Sequence, residues 1–506
     1  MGLFFKQSIM KKHDILENIK IEKLIFWGSG LATAPDGRKI IISGGAIPDA
    51  IVDLRITKSK KNHLEAQVYR TIKRSPLEMD IPSNWQLYGG CKWLPIPYVK
   101  QLEIKEQQIT EAFHSLKEET VSTTWHPIVR SPDSEHYRNK VEFSWGKYIS
   151  EREGKHDEYR FGFHVQGQFD RIEDCWYCVL ADDVTNAIFK DIDILARKSW
   201  IPSYDPKTGI GFWRHLVIRR AKKTGQTMVI FSVNGIFESE NTTKKWTKEY
   251  LLTEMVQQLS EKYSDVTSIY VLENTNRADV VQGNQVLLYG ESTITDELLG
   301  LTFEIQPKSF FQVNTLGAEK LYQSVIDAIQ YKWGTLLDLY AGTGTIGILL
   351  AKEFKKVYSV ELVTSSSEDG QKNSDRNSVK NVEFINSKVE DFAKEFSSGW
   401  GKSDTIVLDP PRDGLHPSAI PHILTFGARE IIYVSCNPAT LVRDISIMLG
   451  KEMSHETTDT DASDIGIKTE VSEIKNQPKY RISDITPMDM FPHTHHIETV
   501  VRLERI

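Results

Sequence analysis

The sequence predicts an α/β protein: a Rossmann-like C-terminal domain, preceded by an α+β central domain and a small N-terminal β-barrel. Three observations carry this. From Gly334 onward, apolar strand-like runs alternate with helix-like segments, beginning with TLLDLYAGTGTIGILLAKEF, which reads as strand, glycine-rich turn and helix. Residues 21–76 are short alternating runs separated by Gly, Pro and Asp-Gly breaks, the pattern of a small barrel. The intervening stretch, 77–315, mixes strands with helices and carries no catalytic motif of its own.

Composition narrows the class. The 506 residues, 40% of them apolar, are enough for two or three cores. Formal charge is −7, so nucleic-acid binding has to come from local patches. One such patch is residues 1–80, with 14 Lys or Arg against 9 Asp or Glu, although a solvated barrel face would read the same way. Four cysteines argue against a disulfide framework and for a reducing compartment. The apolar run at the N-terminus breaks at Lys6, and no segment offers eighteen uncharged apolar residues. A soluble cytoplasmic protein with no membrane partner is expected.

Taken in order, residues 1–20 are expected to extend beyond the barrel. WQLYGGCKWLPIPYVKQLEIKEQQITEAFHSL passes from a Gly-Gly turn into a helix. YRNKVEFSWG, YRFGFHVQGQFDRIED and HLVIRRAKKTGQTMVIFSV read as strands, and the basic turn Arg219 to Lys223 offers either phosphate contacts or simple solubility. SFFQVNTLGAEKLYQSVIDAI opens the helix leading into the last domain, 316–506. There VYSVEL, NVEFIN, DTIVLDPP and IIYVSCNP follow as strands, and RISDITPMDMFPHTHHIETVVRLERI is expected to form a loop and a terminal strand. Residues 452–473 carry seven acidic residues and one Lys, which suggests a poorly ordered insertion looping away from the functional site.

The chemistry concentrates at Cys436. Residues 431–435 deliver it to a Ser-Cys-Asn-Pro turn at the carboxyl end of a strand, where open α/β sheets bind ligands. Arg443 and Arg412 are candidate cations to stabilise a thiolate; the competing reading is a buried cysteine acting as a small hydrophobe. Asp338, Tyr340, Gly342 and Gly344 form a turn that lacks the full GxGxxG spacing, which disfavours a dinucleotide. Glu361, 17 residues beyond Gly344, ends the next strand, where a carboxylate takes ribose hydroxyls. Such a pair suits S-adenosylmethionine, and also fits a structural turn with a surface glutamate. Asp409 of DPPRDGL, at the end of another strand, can accept hydrogen bonds from a flat polar substrate.

DLYAGTGTIG, VELVTSSSEDGQKN, DPPRDGL, YVSCNPATLVRD and MFPHTHHIETVV, in this order, resemble the bacterial RNA uracil-5-methyltransferase family. The front end, with Gly28-Ser-Gly-Leu-Ala and Gly45-Ala-Ile-Pro48, resembles the RNA-binding TRAM barrel. The resemblance implies S-adenosylmethionine as methyl donor and 5-methyluridine in ribosomal or transfer RNA as product. It makes Cys436 the thiolate that adds to carbon 6 and Glu498 the base that removes the carbon 5 proton; without it Glu498 would pass as a surface strand carboxylate. Gln312 is implied at the uracil or the donor, Asp338, Glu361 and the Gly342–Gly344 turn at the donor, and Asp409 at the border of the substrate pocket. Tyr340 and Asp409 are further donor-binding candidates, and Arg412 and Phe310 further substrate-binding candidates. Phe310, Phe311 and Tyr433 could stack bases or sit in a core. The TRAM-like front end leans the target toward ribosomal RNA.

The sequence departs from the family at its iron–sulfur ligands. Of the C-x5-C-x2-C run only Cys91 remains, Pro82 and Tyr88 standing at the other two positions, while Cys175 and Cys178 fall near the fourth ligand's place. An iron–sulfur cluster is therefore not expected. His493, His495 and His496 look like metal ligands by composition, but no spaced Cys or Asp set accompanies them. Two alternatives remain: RNA cytosine-5 methylation by the same thiolate logic, and a non-catalytic RNA-binding protein.

Overall fold

The computed structural model describes residues 10–81, 90–148, 158–165, 168–235, 248–277, 280–399, 403–451 and 477–506. Pro82, Tyr88 and the acidic stretch 452–473 lie outside them. The chain divides into two compact units, the first running to Thr110 and taking in His164–Phe169 and Phe491–His496.

In the first unit, β1 (Ile15–Lys20), β2 (Lys23–Leu24), β3 (Gly30–Thr33), β4 (Lys39–Ser43), β5 (Ile51–Ser59) and β6 (His63–Lys73) form one sheet in the order β1-β5-β6-β4-β3-β2. Alternation along each strand sends Ile40, Ile42, Leu54, Ile56 and Leu64 into a single core. The expected N-terminal extension thus contributes a strand: β1 pairs antiparallel with β5 because Leu16 and Ile19 belong to the same core. Helix α1 (Tyr98–Ala112) buries Gln101, whose amide donates to the carbonyls of Trp93 and Ile96 and meets His493 Nδ1 at 3.0 Å.

The second unit holds two large sheets. After β7 (Thr124–Trp125), the first is built from β8 (Lys140–Tyr148), β9 (Glu158–Val165), β10 (Gln168–Asp174), β11 (Trp213–Arg220), β12 (Thr227–Asn234), β13 (Val266–Asn274) and β14 (Asn284–Gly290), in the order β10-β9-β8-β11-β12-β13-β14. Helices α2 (Asp183–Ser199) and α3 (Lys248–Lys262) accompany it. Asp182 caps α2 by accepting from Thr185 N, and Phe189 of α2 stacks on Phe143 of β8 with ring centroids 4.0 Å apart. A separate hairpin, β15 (Ile294–Leu298) and β16 (Leu301–Ile305), leads through residues 306–314 into α4 (Thr315–Ala328), whose cap Asn314 accepts from Gly317 N.

The C-terminal elements are β17 (Thr335–Leu339), α5 (Thr345–Leu350), β18 (Lys356–Glu361), α6 (Thr364–Arg376), β19 (Val382–Asn386), α7 (Val389–Gly399), β20 (Thr405–Leu408), α8 (Ala419–Thr425), β21 (Glu430–Ser435), α9 (Pro438–Met448), β22 (Tyr480–Met488) and β23 (Glu498–Arg505). Their sheet runs β19-β18-β17-β20-β21-β23-β22-β7, with β17 to β21 parallel and β23 antiparallel to β21. The parallel strands are apolar runs buried on both faces, as Thr405–Leu408 shows. Strand order reverses at β17, which pairs with both β18 and β20, and such a switch point opens a crevice beyond the strand ends. The C-terminal segment expected as one loop and one strand is instead the hairpin β22–β23; Pro487 and the irregularity between Ile482 and Asp484 obscure the strand period of β22.

A buried ion pair holds the opposite end of β21. Glu430 accepts from Arg502 Nε at 2.8 Å, Thr405 Oγ1 at 3.0 Å and Tyr331 N at 2.9 Å. Glu430→Ala removes the shortest ion pair of Arg502, leaving the longer ones to Glu504 at 3.4 Å and Asp484 at 3.6 Å, and strips the Tyr331 N–H of its acceptor, so it should cost about 1–3 kcal/mol. A lowered urea midpoint at unchanged m checks this. Among the described residues no helix is long and apolar enough to cross a membrane.

Candidate functional site

The sheet register assembles the site. Ser435 of β21 faces Thr499 of β23, so one step further Cys436 stands opposite Glu498 at the carboxyl end of β21. On the other side of β21, Leu408 faces Tyr433 and Leu339 faces Leu408, which brings Asp409 and Tyr340 to the same edge. Val360 pairs with Leu339, so Glu361 completes a row that reads Glu361, Tyr340, Asp409, Cys436, Glu498 across five adjacent strands. Neighbouring strands lie about 4.8 Å apart, so the two ends of the row are well separated along the sheet edge.

At the β17–β18 end, Gly342 N donates to Glu361 at 2.9 Å and Val363 N at 2.7 Å, which fixes this carboxylate at the rim of the turn. Gly344 has φ +65°, and a Cβ there would come within 2.4 Å of the Phe384 ring, so only glycine lets the turn pack. Asp338 accepts from Gly347 N and Ser359 Oγ, both at 3.0 Å, while its Oδ1 has no partner among the described residues. Burial pushes its carboxyl up to about 7.

At the β21–β23 end, Cys436 is half-buried and Glu498 is 7% exposed. Burial pushes the thiol up to about 11, with Glu498 and Asp409 adding to the rise and Arg412 opposing it. The lowered thiol pKa expected from nearby cations is therefore not what the resting site has: desolvation and two carboxyl groups outweigh one arginine. Arg443 is not available to the thiol, since its guanidinium bonds Asp444 Oδ1 (2.8 Å) and the carbonyls of Asp413 and Leu415 (both 2.9 Å). Burial, then Asp409, raises Glu498 well above the usual carboxyl range, and burial, then Asp338, pushes Asp409 to about 7. In the free protein, alkylation of Cys436 by iodoacetamide should keep rising about tenfold per pH unit through pH 9; a plateau below pH 8 would contradict the assigned environment.

The loop bearing Asp409 and Arg412 is clamped to the cysteine turn. Asn437 Nδ2 and Thr440 Oγ1 donate to the Arg412 carbonyl at 3.0 and 3.3 Å, and Leu415 N donates to Asp444 Oδ2 at 2.7 Å. Gly414, at φ +73°, passes so close that a Cβ would lie 2.6 Å from Asp444 Oδ2. Tyr433, a stacking candidate, is fully buried and donates to the same Asp444 oxygen at 2.7 Å, so it belongs to the clamp. Phe310 is 65% exposed and Phe311 half-buried, so of the three rings only Phe310 is openly available to a base.

Gln312 lies beside Tyr322, a buried tyrosine whose hydroxyl also senses the charges of Asp409, Asp338 and Glu498. Nothing in the local chemistry of the chain singles out Tyr322; its helical position in α4, inward-facing with Leu321 and Val325, is the available signal. Cys175 and Cys178 are buried after β10, and Cys91 is buried in the first unit. Among the described residues no group of three or more His, Cys, Asp or Glu could hold a metal ion.

Residues 253–457 match the family model of tRNA (uracil-5-)-methyltransferases. An uncharacterised RNA methyltransferase of Clostridium tetani is 35% identical over 491 residues, covering 96% of this chain and 97% of that protein. The chain belongs to the RNA uracil-5-methyltransferase family. A second relative of this RNA uracil-5-methyltransferase, an uncharacterised RNA methyltransferase of Clostridium acetobutylicum, is 32% identical over 98% of this chain and 99% of its own. Among solved structures, the Pyrococcus abyssi tRNA (uracil-54, C5)-methyltransferase, in complex with S-adenosyl-L-homocysteine, shares the fold. Its TM-score is 0.69 at 24% identity, over 96% of this chain and 100% of that one. The protein is thus an RNA methyltransferase of α/β fold.

Proposed function

We propose that this methyltransferase transfers a methyl group from S-adenosylmethionine to carbon 5 of a uridine in RNA, with Cys436 as nucleophile and Glu498 as base. The observation that carries the proposal is the register placing Cys436 opposite Glu498, with Asp409 on the adjoining strand. Carbon 5 of uracil is too poor a nucleophile to attack a sulfonium. Addition of the Cys436 thiolate at carbon 6 makes the ring an enolate that can, and removal of the carbon 5 proton then expels the sulfur. Arg412, a cation that favours the Cys436 thiolate, helps to form it. A carboxylate as desolvated as Glu498 is a stronger base than one in water, which suits abstraction from carbon.

The donor would lie at the β17–β18 end, its ribose hydroxyls at Glu361 and its methionine portion over the Tyr340–Gly344 turn beside Asp338. Those residues fit it: a carboxylate held at the rim, an open glycine turn and an unpartnered buried Asp338 oxygen that can accept from an ammonium group. When bound, the donor supplies an electrophilic methyl. Gln312, beside Tyr322, and Asp409 would present polar groups to the uracil edge, and Phe310 would stack on a base that has left its helix.

The target we favour is 23S ribosomal RNA, read by the first unit as a TRAM-like module; its six-stranded sheet and the net positive charge of residues 1–80 support that reading. Size fractionation of RNA lacking 5-methyluridine, after incubation with enzyme and labelled donor, decides this. Label in 23S RNA is expected; label confined to transfer RNA would replace the target.

A further inference from the structure

A small, half-open cleft beside the loop that carries Phe310 and Gln312 is lined by Asn139, Lys140, Arg219, Ile294, Ile305 and Phe311, and its volume of about 10 Å3 has room for one water-sized or oxygen-sized group. Arg220 also borders it, and no carboxylate does. Most cations of the basic stretch around it are already spent. Arg220 pairs with Asp182 at 2.6 Å and Asp265 at 3.1 Å, Lys222 with Asp133 at 3.3 Å, and Lys223 with Glu319.

Two cations are not. Arg219, 6% exposed, donates to the carbonyls of Gln306 (3.1 Å) and Ser309 (2.6 Å), yet its Nε–H is buried with no partner among the described residues. Lys140 on the paired strand β8, directly across from Arg219, has no ion pair among the described residues; exposed Glu142, two positions on, offsets its charge only in part. Buried cations are ordinarily paired, because an unpaired charge in low dielectric is costly. Desolvation accordingly lowers the pKa of both, Arg219 to about 10. An incoming anion would relieve that cost, and the walls of Ile294, Ile305 and Phe311 would strengthen the attraction.

We propose that this cleft is an anion subsite that takes a phosphodiester oxygen of the RNA chain next to the target nucleotide, held by Arg219 Nε–H and the Lys140 ammonium. It rests on RNA being the substrate of the Cys436 site. Its position gives it a purpose. Asn139, in the cleft wall, donates to the Gln312 carbonyl and to Thr315 Oγ1, both at 2.8 Å, and Arg219 braces the turn that precedes Phe310. A phosphate seated here would set the RNA backbone against the segment that presents Phe310 and Gln312. Phosphate contacts of this kind fix register without reading sequence.

The test is the salt dependence of binding of a short fluorescent oligouridylate to full-length enzyme, with Lys140→Gln, Lys140→Arg and, as a control, Lys262→Gln, whose lysine pairs with Asp191 on the outer surface. Lys140→Gln should weaken binding about tenfold at low salt and reduce the log–log slope by about 1, while Lys140→Arg and the control keep the wild-type slope. An oligouridylate with uncharged methylphosphonate linkages should bind wild type more weakly than the natural probe, and lose less on going to Lys140→Gln. Parallel salt lines for wild type and Lys140→Gln would overturn the subsite while leaving RNA binding intact, whereas wild type with no RNA affinity would overturn the substrate reading beneath it. Inorganic phosphate should compete no better than chloride at equal ionic strength; selective competition by phosphate, lost in Lys140→Gln, would assign the cleft to free phosphate instead.

Discussion

Cys436→Ala should abolish methylation of RNA, lowering turnover by at least about 10^4-fold, while S-adenosylmethionine binding stays within about twofold of wild type. The split follows from the row of strand ends. Cys436 directly follows β21 and the proposed donor residues lie at the ends of β17 and β18, with β20 between them, so deleting the sulfur leaves Glu361, Gly342 and Asp338 untouched. Cys175 and Cys178 follow β10 of the other sheet, so neither takes the place of Cys436 at the end of β21. Paired measurements of single-turnover rate and donor affinity check this; activity within tenfold of wild type would remove Cys436 from the chemistry.

Glu498→Gln should separate the two halves of the reaction. Thiolate addition and methyl transfer do not need the base, but loss of the carbon 5 proton does. The variant should therefore accumulate a covalent protein–RNA adduct that survives denaturing electrophoresis, and multiple turnover should fall by about 10^2–10^4-fold. Glutamine preserves volume at a 7% exposed position, so the fold is expected to hold. Replacing Glu498 also removes the largest charged contribution raising the Cys436 thiol, so alkylation of Cys436 in the free variant should be faster than in wild type at the same pH. Loss of turnover with neither adduct nor faster alkylation would place Glu498 outside the catalytic pair.

Much of this was legible in the chain because strand ends advertise themselves. IIYVSCNP, DTIVLDPP and TLLDLYAGTG each show an apolar run stopping at a polar turn, and in a parallel sheet these stops must share one edge. Glu498 was different: nothing local distinguishes it from a surface carboxylate, and only its pairing across from the Cys436 turn gives it a role. The sign of the thiol shift is set by burial, then by Glu498 and Asp409, none of which a count of arginines along the chain shows, and Arg443 is spent on Asp444 and two carbonyls. The same reasoning applies to the basic turn at Arg219–Lys223. Its visible lysines are neutralised by Asp133 and Glu319, while the unsatisfied charge lies inward, at Arg219 and at Lys140 on the neighbouring strand. Long-range pairing of this kind leaves no trace in local periodicity. Strand β22 was missed for a related reason, since Pro487 breaks a pattern that only its partners β23 and β7 make into a strand.

The most direct test of the central claim is nucleoside analysis of RNA lacking 5-methyluridine after incubation with purified enzyme and methyl-labelled S-adenosylmethionine. The account predicts that the label co-elutes with 5-methyluridine. Label in 5-methylcytidine, or none despite good donor binding, would contradict it.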